Sequence, residues 1–449
     1  MSNTNTYHFP SLWNGKNHDA VVVERHDIVL LFDAKNCNPN GDPDTGNMPR
    51  LQPDTLTGLV TDVCLKRKIR NFFARYNTNK SLIAEGEKNA DPRYNLFIRE
   101  DAVIERVLKA DDIKKKAKEI FLTYTVNGKQ LTENDWETVH EKTKESTDAD
   151  TTDSATDNAP EGLPSSVSDK PAKKNKGAKG QRKNKDVPPP FLSEYKDRAY
   201  HDAICELYFD VRYFGQVVST EGPLKGSFYG QIRGPIQFSF AESYDKILQL
   251  DFSITRCAVA SETEAVKAEQ NKTGNRTMGR KYNVAYGLYR SHIHFSPAFA
   301  AKTRFTYADL DNFLFALSRS FGDYNVDTAA ARADGLRVVG LVDFEHQSSL
   351  GNAPVHKLFE LVTVQANKDI EGKFPSGGDF PSGLDDYRGS APDGEIYAVT
   401  NEYGFVTGCS TKKPENPDST ANIHARRLIW ELGEPPQKTD ATSKINSES

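Results

Sequence analysis

Cations set among glycines and aromatic residues are the first feature of this sequence that could do chemistry. A helix is expected from about Thr57 to Tyr76, with Leu65, Ile69, Phe72 and Tyr76 as its core stripe. Lys66, Arg67 and Arg70 then fall on another face, roughly 60–160° away at about 100° per residue. No acidic residue occurs between Asp62 and Glu85, so that face carries little local compensation. A basic helix face beside a sheet suits a phosphate backbone, although a solvated helix surface reads the same way. Two further stretches share this character. Gly226, Gly230 and Gly234 surround Phe228, Tyr229 and Arg233, where small residues let backbone amides approach phosphates. Arg276, Met278, Arg280 and Lys281 arrive together before Tyr282. Apolar and aromatic groups beside cations suit single-stranded nucleic acid, whose splayed bases stack and wedge.

Catalytic readings have less support. His292 and His294 share one face of a strand, a conceivable metal pair, but spacing suggests no third ligand and satisfied strand histidines explain them better. Asp33, Asp42 and Asp44 could assemble a magnesium site for phosphodiester cleavage, yet the Asn-Gly-Asp-Pro sequence around Asp42 is also ordinary turn chemistry. There is no P-loop, G-x-S-x-G, H-E-x-x-H or dinucleotide fingerprint. No cofactor is expected.

The elements that must position these residues follow from periodicity. Residues 26–33 form an apolar run of strand length, suited to a central strand buried on both sides. The helix with the basic face comes next. Strands are expected at 234–240, 250–259, 283–295 and 336–344, with a helix over 306–321 that Thr306 caps. With 250–259 and 283–295 as the middle pair, strand, helix, strand, strand, helix, strand is the split β-α-β order. It gives an α+β, ferredoxin-like antiparallel sheet with two helices on one face. Residues 141–190 break this pattern: a Ser/Thr/Asp/Ala tract, then a basic run at 173–185, then three prolines. Such a segment buries too little to offset its ordering entropy and is expected to be disordered. Residues 411–449 are expected to form a polar tail, apart from an apolar patch at Leu428, Ile429 and Trp430. One sheet domain with large insertions accounts for the 449 residues better than three separate domains.

Composition narrows the partners. Only 37% of residues are hydrophobic and none of the apolar runs reaches membrane-spanning length. The polar start of the chain lacks an export signal, so no membrane is expected as a partner. Five scattered cysteines without a C-x-x-C pair fit a reducing cytoplasm. The net charge of −5 leaves nucleic-acid binding to local clusters of cations.

Residues 25–73 carry Leu-Leu-Phe-Asp-Ala-Lys at 30–35, Asn-Pro-Asn-Gly-Asp-Pro-Asp at 38–44 and Gly-Leu-Val-Thr-Asp-Val-Cys-Leu-Lys-Arg-Lys-Ile-Arg-Asn at 58–71. This stretch closely resembles the CRISPR-associated Cas-seven family, with the Csd subtype of type I-C systems the nearest match. Further similar stretches are 209–220, 230–240, 254–259, 275–292 and 344–359. The resemblance implies a backbone subunit of the Cascade surveillance complex, with an RRM-like palm, a helical fingers insertion and a thumb hairpin. In domain terms, residues 1–140 would hold the first palm strand and helix and the start of the fingers. Residues 191–233 would complete the fingers and web, and 234–410 the palm, with the thumb at 260–282. It further implies polymerisation head to tail along guide crRNA, presentation of that guide to target DNA, and contact with Cas-five and the large and small Cascade subunits. Members of type I systems are not themselves nucleases. A relative that cleaves target RNA through an acidic loop residue, here Asp33 or Asp42, and a plain RNA-binding module remain as alternatives. The insertion at 141–190 and the long tail depart from the family pattern.

Overall fold

The computed structural model describes residues 16–83, 94–100, 102–139, 190–219, 222–259, 261–270, 277–321, 335–401, 405–414 and 421–435. Arg276 and residues 141–189 of the segment expected to be disordered lie outside them. The chain is α+β, and among the described residues its main sheet has ten strands. They are β1 (His26–Cys37), β2 (Thr57–Val60), β3 (Ile236–Phe238), β4 (Ala241–Lys246), β5 (Gln249–Arg256), β6 (Thr277–Phe295), β7 (Leu336–His346), β8 (Gly394–Thr400), β9 (Val406–Ser410) and β10 (Ala421–Trp430). The order is β9-β8-β10-β7-β1-β6-β4-β2, all antiparallel, with β3 and β5 also paired to β6.

The apolar run of β1 is explained by two cores. Ile28, Leu30 and Phe32 pack with Leu65, Ile69 and Phe73 of α1 (Asp62–Ile83) and with Leu310, Phe313 and Leu314 of a helix at Tyr307–Arg319. Val29 and Leu31 point the other way, into a core with Phe359, Phe374, Tyr387 and Ile423. A strand covered on both faces needs no polar alternation. The Tyr307–Arg319 helix starts as expected, with Thr306 and Asp309 forming a capping box. A third core is helical and built from 97–139 and 192–232, including α2 (Asp111–Phe121) and α3 (Pro190–Leu207). The short helix α4 (Phe209–Phe214) joins it to the sheet, sending Phe209 and Tyr213 into one core and Val211 into the other.

Two expectations need correction. The first helix begins at Asp62, because Thr57–Val60 pairs with β4 as an edge strand. Residues 421–435 are not a polar tail: β10 is an inner strand between β8 and β7. The charge of its Arg426 is absorbed by the neighbouring strand, where Arg426 donates to Asp343 at 3.1 Å and also meets Glu345.

Candidate nucleic-acid interface

Strand β6 is longer than the sheet beside it. Its residues from Val284 onward pair with β1, whereas Thr277–Asn283 continue past the end of β1 and pair with β5 alone. Seven residues of ribbon span roughly 23 Å at about 3.3 Å each. A helix at Glu262–Gln270, α5, follows β5. Opposite Thr277–Asn283, β5 contributes Leu250–Arg256 to the projecting ribbon. Register sorts its side chains onto two faces. Phe252 opposite Lys281 and Ile254 opposite Gly279 make one face; Thr255–Met278, Ser253–Arg280 and Asp251–Tyr282 make the other. Met278 is 81% exposed, and Phe252 and Ile254 are about half exposed, so both faces offer apolar surface beside a cation. Arg280 meets Asp251 at 2.6 Å, but both are exposed, and such pairs contribute little and exchange readily for a phosphate.

A second basic surface surrounds a cavity of about 510 Å³ between α3, the segment before β3 and the end of α6 (Pro297–Thr303). Arg198, Arg233, Lys302 and Arg304 line it, with Phe228 and Tyr229. The carboxylate of Asp202 is spoken for: it accepts from Arg304 at 3.0 Å, Tyr124 at 2.9 Å and His201 at 3.0 Å. Burial alone would raise its pKa, yet these donors hold it below the ordinary value, so it stays ionised. Three further cations remain for an anionic ligand. Phe228 is 84% exposed, a large ring held in water beside positive charge, as base stacking requires. Of these cations the sequence singled out Arg233, beside Phe228 and Tyr229, and it is exposed. Arg198, Lys302 and Arg304 were missed because they come together only through tertiary packing.

The α1 cations do not form the open face expected of them. All three are half-buried. Lys66 pairs with Asp62 one turn back at 2.8 Å, and Arg67 reaches the carbonyl of Ile98 at 3.5 Å. Arg70 donates to buried Asp210 at 2.9 Å and lies 5.2 Å from the Phe214 ring. The helical core packs beside this part of α1, which rotation along one helix could not reveal.

Two of the three acidic candidates, Asp33 and Asp42, are also engaged, and Asp44 is exposed. Asp33 is 3% exposed and held by the Arg337 fork at 3.0–3.2 Å and the Tyr286 hydroxyl at 3.1 Å. Burial still pushes its pKa up. Asp42 accepts from the backbone of Asp44 and pairs with Arg50 at 3.3 Å, as turn chemistry anticipates. His292 stacks on Phe359 at 4.0 Å and His294 pairs with Asp27 at 2.7 Å, so each has its own partner.

Comparison with known proteins gives the family of the chain. A structure of a "CRISPR RNA-guided surveillance complex, pre-nicking" contains a chain matched over 71% of this one and 78% of its own length, at 12% identity and a TM-score of 0.35. A "CRISPR-associated protein Cas7" of Haloferax volcanii is 47% identical over 50 residues, which is 11% of this chain. That match spans only 15% of the relative's length. The family model described as "CRISPR-associated protein Cas7" matches residues 24–387, about four-fifths of the sequence, and takes in β1, α1, the ribbon and the basic cavity. The chain belongs to the CRISPR-associated Cas7 family.

Proposed function

We propose that this chain is a backbone subunit of a type I-C CRISPR Cascade complex that binds guide crRNA through its backbone and presents it for pairing with target DNA. The observation that carries the reading is the ribbon of β5 and β6: on a chain of this family, it projects beyond the sheet with apolar and cationic side chains in water. A subunit that must accept any spacer has to hold the strand through its backbone, and the cations of the ribbon suit phosphates of any sequence. The order β7-β1-β6-β4, with α1 and the Tyr307–Arg319 helix on one face, supports an RRM-like palm. The helical core of 97–139 and 192–232 then corresponds to the fingers and the ribbon to the thumb.

In this reading copies of the chain stack head to tail on the guide as a helical filament, in the cytoplasm, together with Cas-five and the large and small subunits. Heterologous contacts of that kind do not close, so the guide and the end subunits set the length. The subunit is proposed not to be a nuclease: Asp33 is occupied by Arg337 and Tyr286, and Asp42 by its turn and Arg50. Mass photometry of the purified chain with guide RNA should give a ladder of masses spaced by one subunit. A single subunit per RNA would leave a plain binding module. Cleavage of complementary RNA in magnesium, lost in Asp33→Asn or Asp42→Asn, would replace the proposal with the RNA-cleaving alternative.

A further inference from the structure

The ribbon leaves one end of β6, and the basic cavity lies at the other. Residues 284–295 separate them, roughly 40 Å of strand at about 3.3 Å per residue, and α6 follows from there. A strand held by the ribbon therefore leaves the cavity unexplained. It encloses about 510 Å³, the size of a site for one small molecule rather than a track for a polymer. Four cations line it, Arg198, Arg233, Lys302 and Arg304, against one carboxylate, Asp202, so the lining has three positive charges in excess. Arg304 closes α6 in the left-handed region, at φ 60°, where glycine or asparagine is the usual choice. Its side chain accounts for its presence there, reaching Asp202 at 3.0 Å while half its surface stays open.

The exposed ring of Phe228 is also held in place. It sits on a single turn, Phe228–Gly230, where the Ser227 hydroxyl accepts from the backbone N–H of Tyr229 at 3.3 Å. At the end of that turn a side chain on Gly230 would collide with the backbone of Ser219. Tyr229 is tied down by its hydroxyl, which donates to Glu194 at 3.2 Å, and by an edge contact with His201. Phe228 is thus fixed at the rim of the cavity with its ring in water. Excess positive charge selects an anion, and a fixed aromatic ring selects a flat group beside it. A nucleotide carries both. We infer that this cavity binds one phosphorylated nucleotide, its base stacked on Phe228 and its phosphates held by Arg198, Arg233 and Lys302, at a site separate from the strand on the ribbon. A free nucleotide and the phosphorylated end of a strand bring the same groups.

The test is calorimetric titration of the full chain with ADP, inorganic pyrophosphate and adenosine. ADP should bind at one site per chain, about tenfold more tightly than pyrophosphate, the ratio expected for one stacked base, and adenosine more weakly than either. Phe228→Ala should lower ADP affinity to that of pyrophosphate and leave pyrophosphate unchanged. Arg233→Gln/Lys302→Gln should weaken both. All three side chains are exposed, so the variants should fold. Two RNA pentamers, one with a 5′-phosphate and one with a 5′-hydroxyl, then compete against ADP. Displacement by the phosphorylated strand alone supports the pocket and gives a strand end as its source; displacement by neither supports it with a free nucleotide. Equal displacement by both would make the cavity part of a strand path and overturn the inference. So would absence of ADP binding, or equal affinity for ADP and pyrophosphate, which would leave an anion site only. Neither result touches guide binding, which the ladder of masses on guide RNA decides.

Discussion

Replacing Arg70 by alanine separates two roles that its position on α1 leaves open. A phosphate ligand in that place would leave stability alone and lower the single-strand salt slope by about 0.7. A buried counter-ion would do the reverse. Asp210 is 0% exposed and accepts from Arg70 Nε at 2.9 Å, from the backbone N–H of Phe97 at 2.9 Å and from that of Ile98 at 3.1 Å. Truncation at position 70 leaves a buried carboxylate with two amide donors and no counter-charge. Removing one member of such a pair costs about 3–5 kcal/mol, and the two remaining donors place this case near the lower end. Losing the guanidinium from the Phe214 ring adds about 0.5 kcal/mol. A loss of about 3.5 kcal/mol is a large share of a typical domain's ~5–15 kcal/mol.

Urea denaturation should therefore show a lower midpoint at unchanged m for Arg70→Ala, with part of the loss recovered in Arg70→Ala/Asp210→Asn, where no unpaired charge remains. Lys66→Ala breaks only a part-buried pair one helical turn long and should stay within about 0.5 kcal/mol of wild type. Anisotropy titrations across a range of salt, on protein shown to be folded, complete the assay. An unchanged midpoint together with a reduced salt slope for Arg70→Ala would refute the counter-ion argument and restore the residue to the RNA-binding surface.

The ribbon should behave oppositely: Met278→Ala/Arg280→Ala is expected to shift stability by less than about 0.5 kcal/mol, since both side chains are exposed. It should shorten the assemblies seen by mass photometry on guide RNA, and full-length assemblies would mean that the ribbon does not reach a neighbouring subunit. His292 gives a pH test, because burial first, and then the charges of Arg290 and His294, lower its pKa to about 4. The unfolded histidine, near 6.5, binds protons that the folded one refuses, so this contribution is complete above pH ~6.5 and fades as pH falls toward 4. His292→Gln should flatten the urea midpoint across that window, and a curve parallel to wild type would show that the pH dependence lies elsewhere.

What the sequence revealed depended on whether a residue's partner was close in the chain. Thr306 and Asp309 cap a helix three residues apart, and β1 announces its two-sided burial in an unbroken apolar run. Arg70 and Asp210 are 140 residues apart, so the rotation that put Arg70 on a basic face could not show what covers that face. The same limit hid β10. His424, Arg426 and Arg427 make its composition polar, yet Asp343 lies directly opposite Arg426 in the register and takes its charge. For the same reason the basic cavity was legible only in Phe228, Tyr229 and Arg233, which lie close together in the chain.

The Asn-Pro-Asn-Gly-Asp-Pro-Asp motif at 38–44 was legible as a turn, but its work is larger than turning the chain. Asn40 Oδ1 accepts from both the backbone N–H and the hydroxyl of Thr61, at 2.9 and 3.0 Å, just before α1 begins. Asn38 holds the Asn47 carbonyl, and a side chain at Gly41 would collide with Asn47 Oδ1. A few residues on, the Pro49 carbonyl accepts from Gln249 at 2.7 Å, where the ribbon starts. One loop thus fixes the end of β1, the start of α1 and the root of the ribbon relative to one another. Polar side chains do this better than an apolar core could, because hydrogen bonds fix direction and burial does not. Asparagine suits the task twice over: its amide donates and accepts at once, and its backbone tolerates the left-handed turns at Asn36 and Asn47. The residues of this one loop therefore set where the candidate interface stands relative to the sheet.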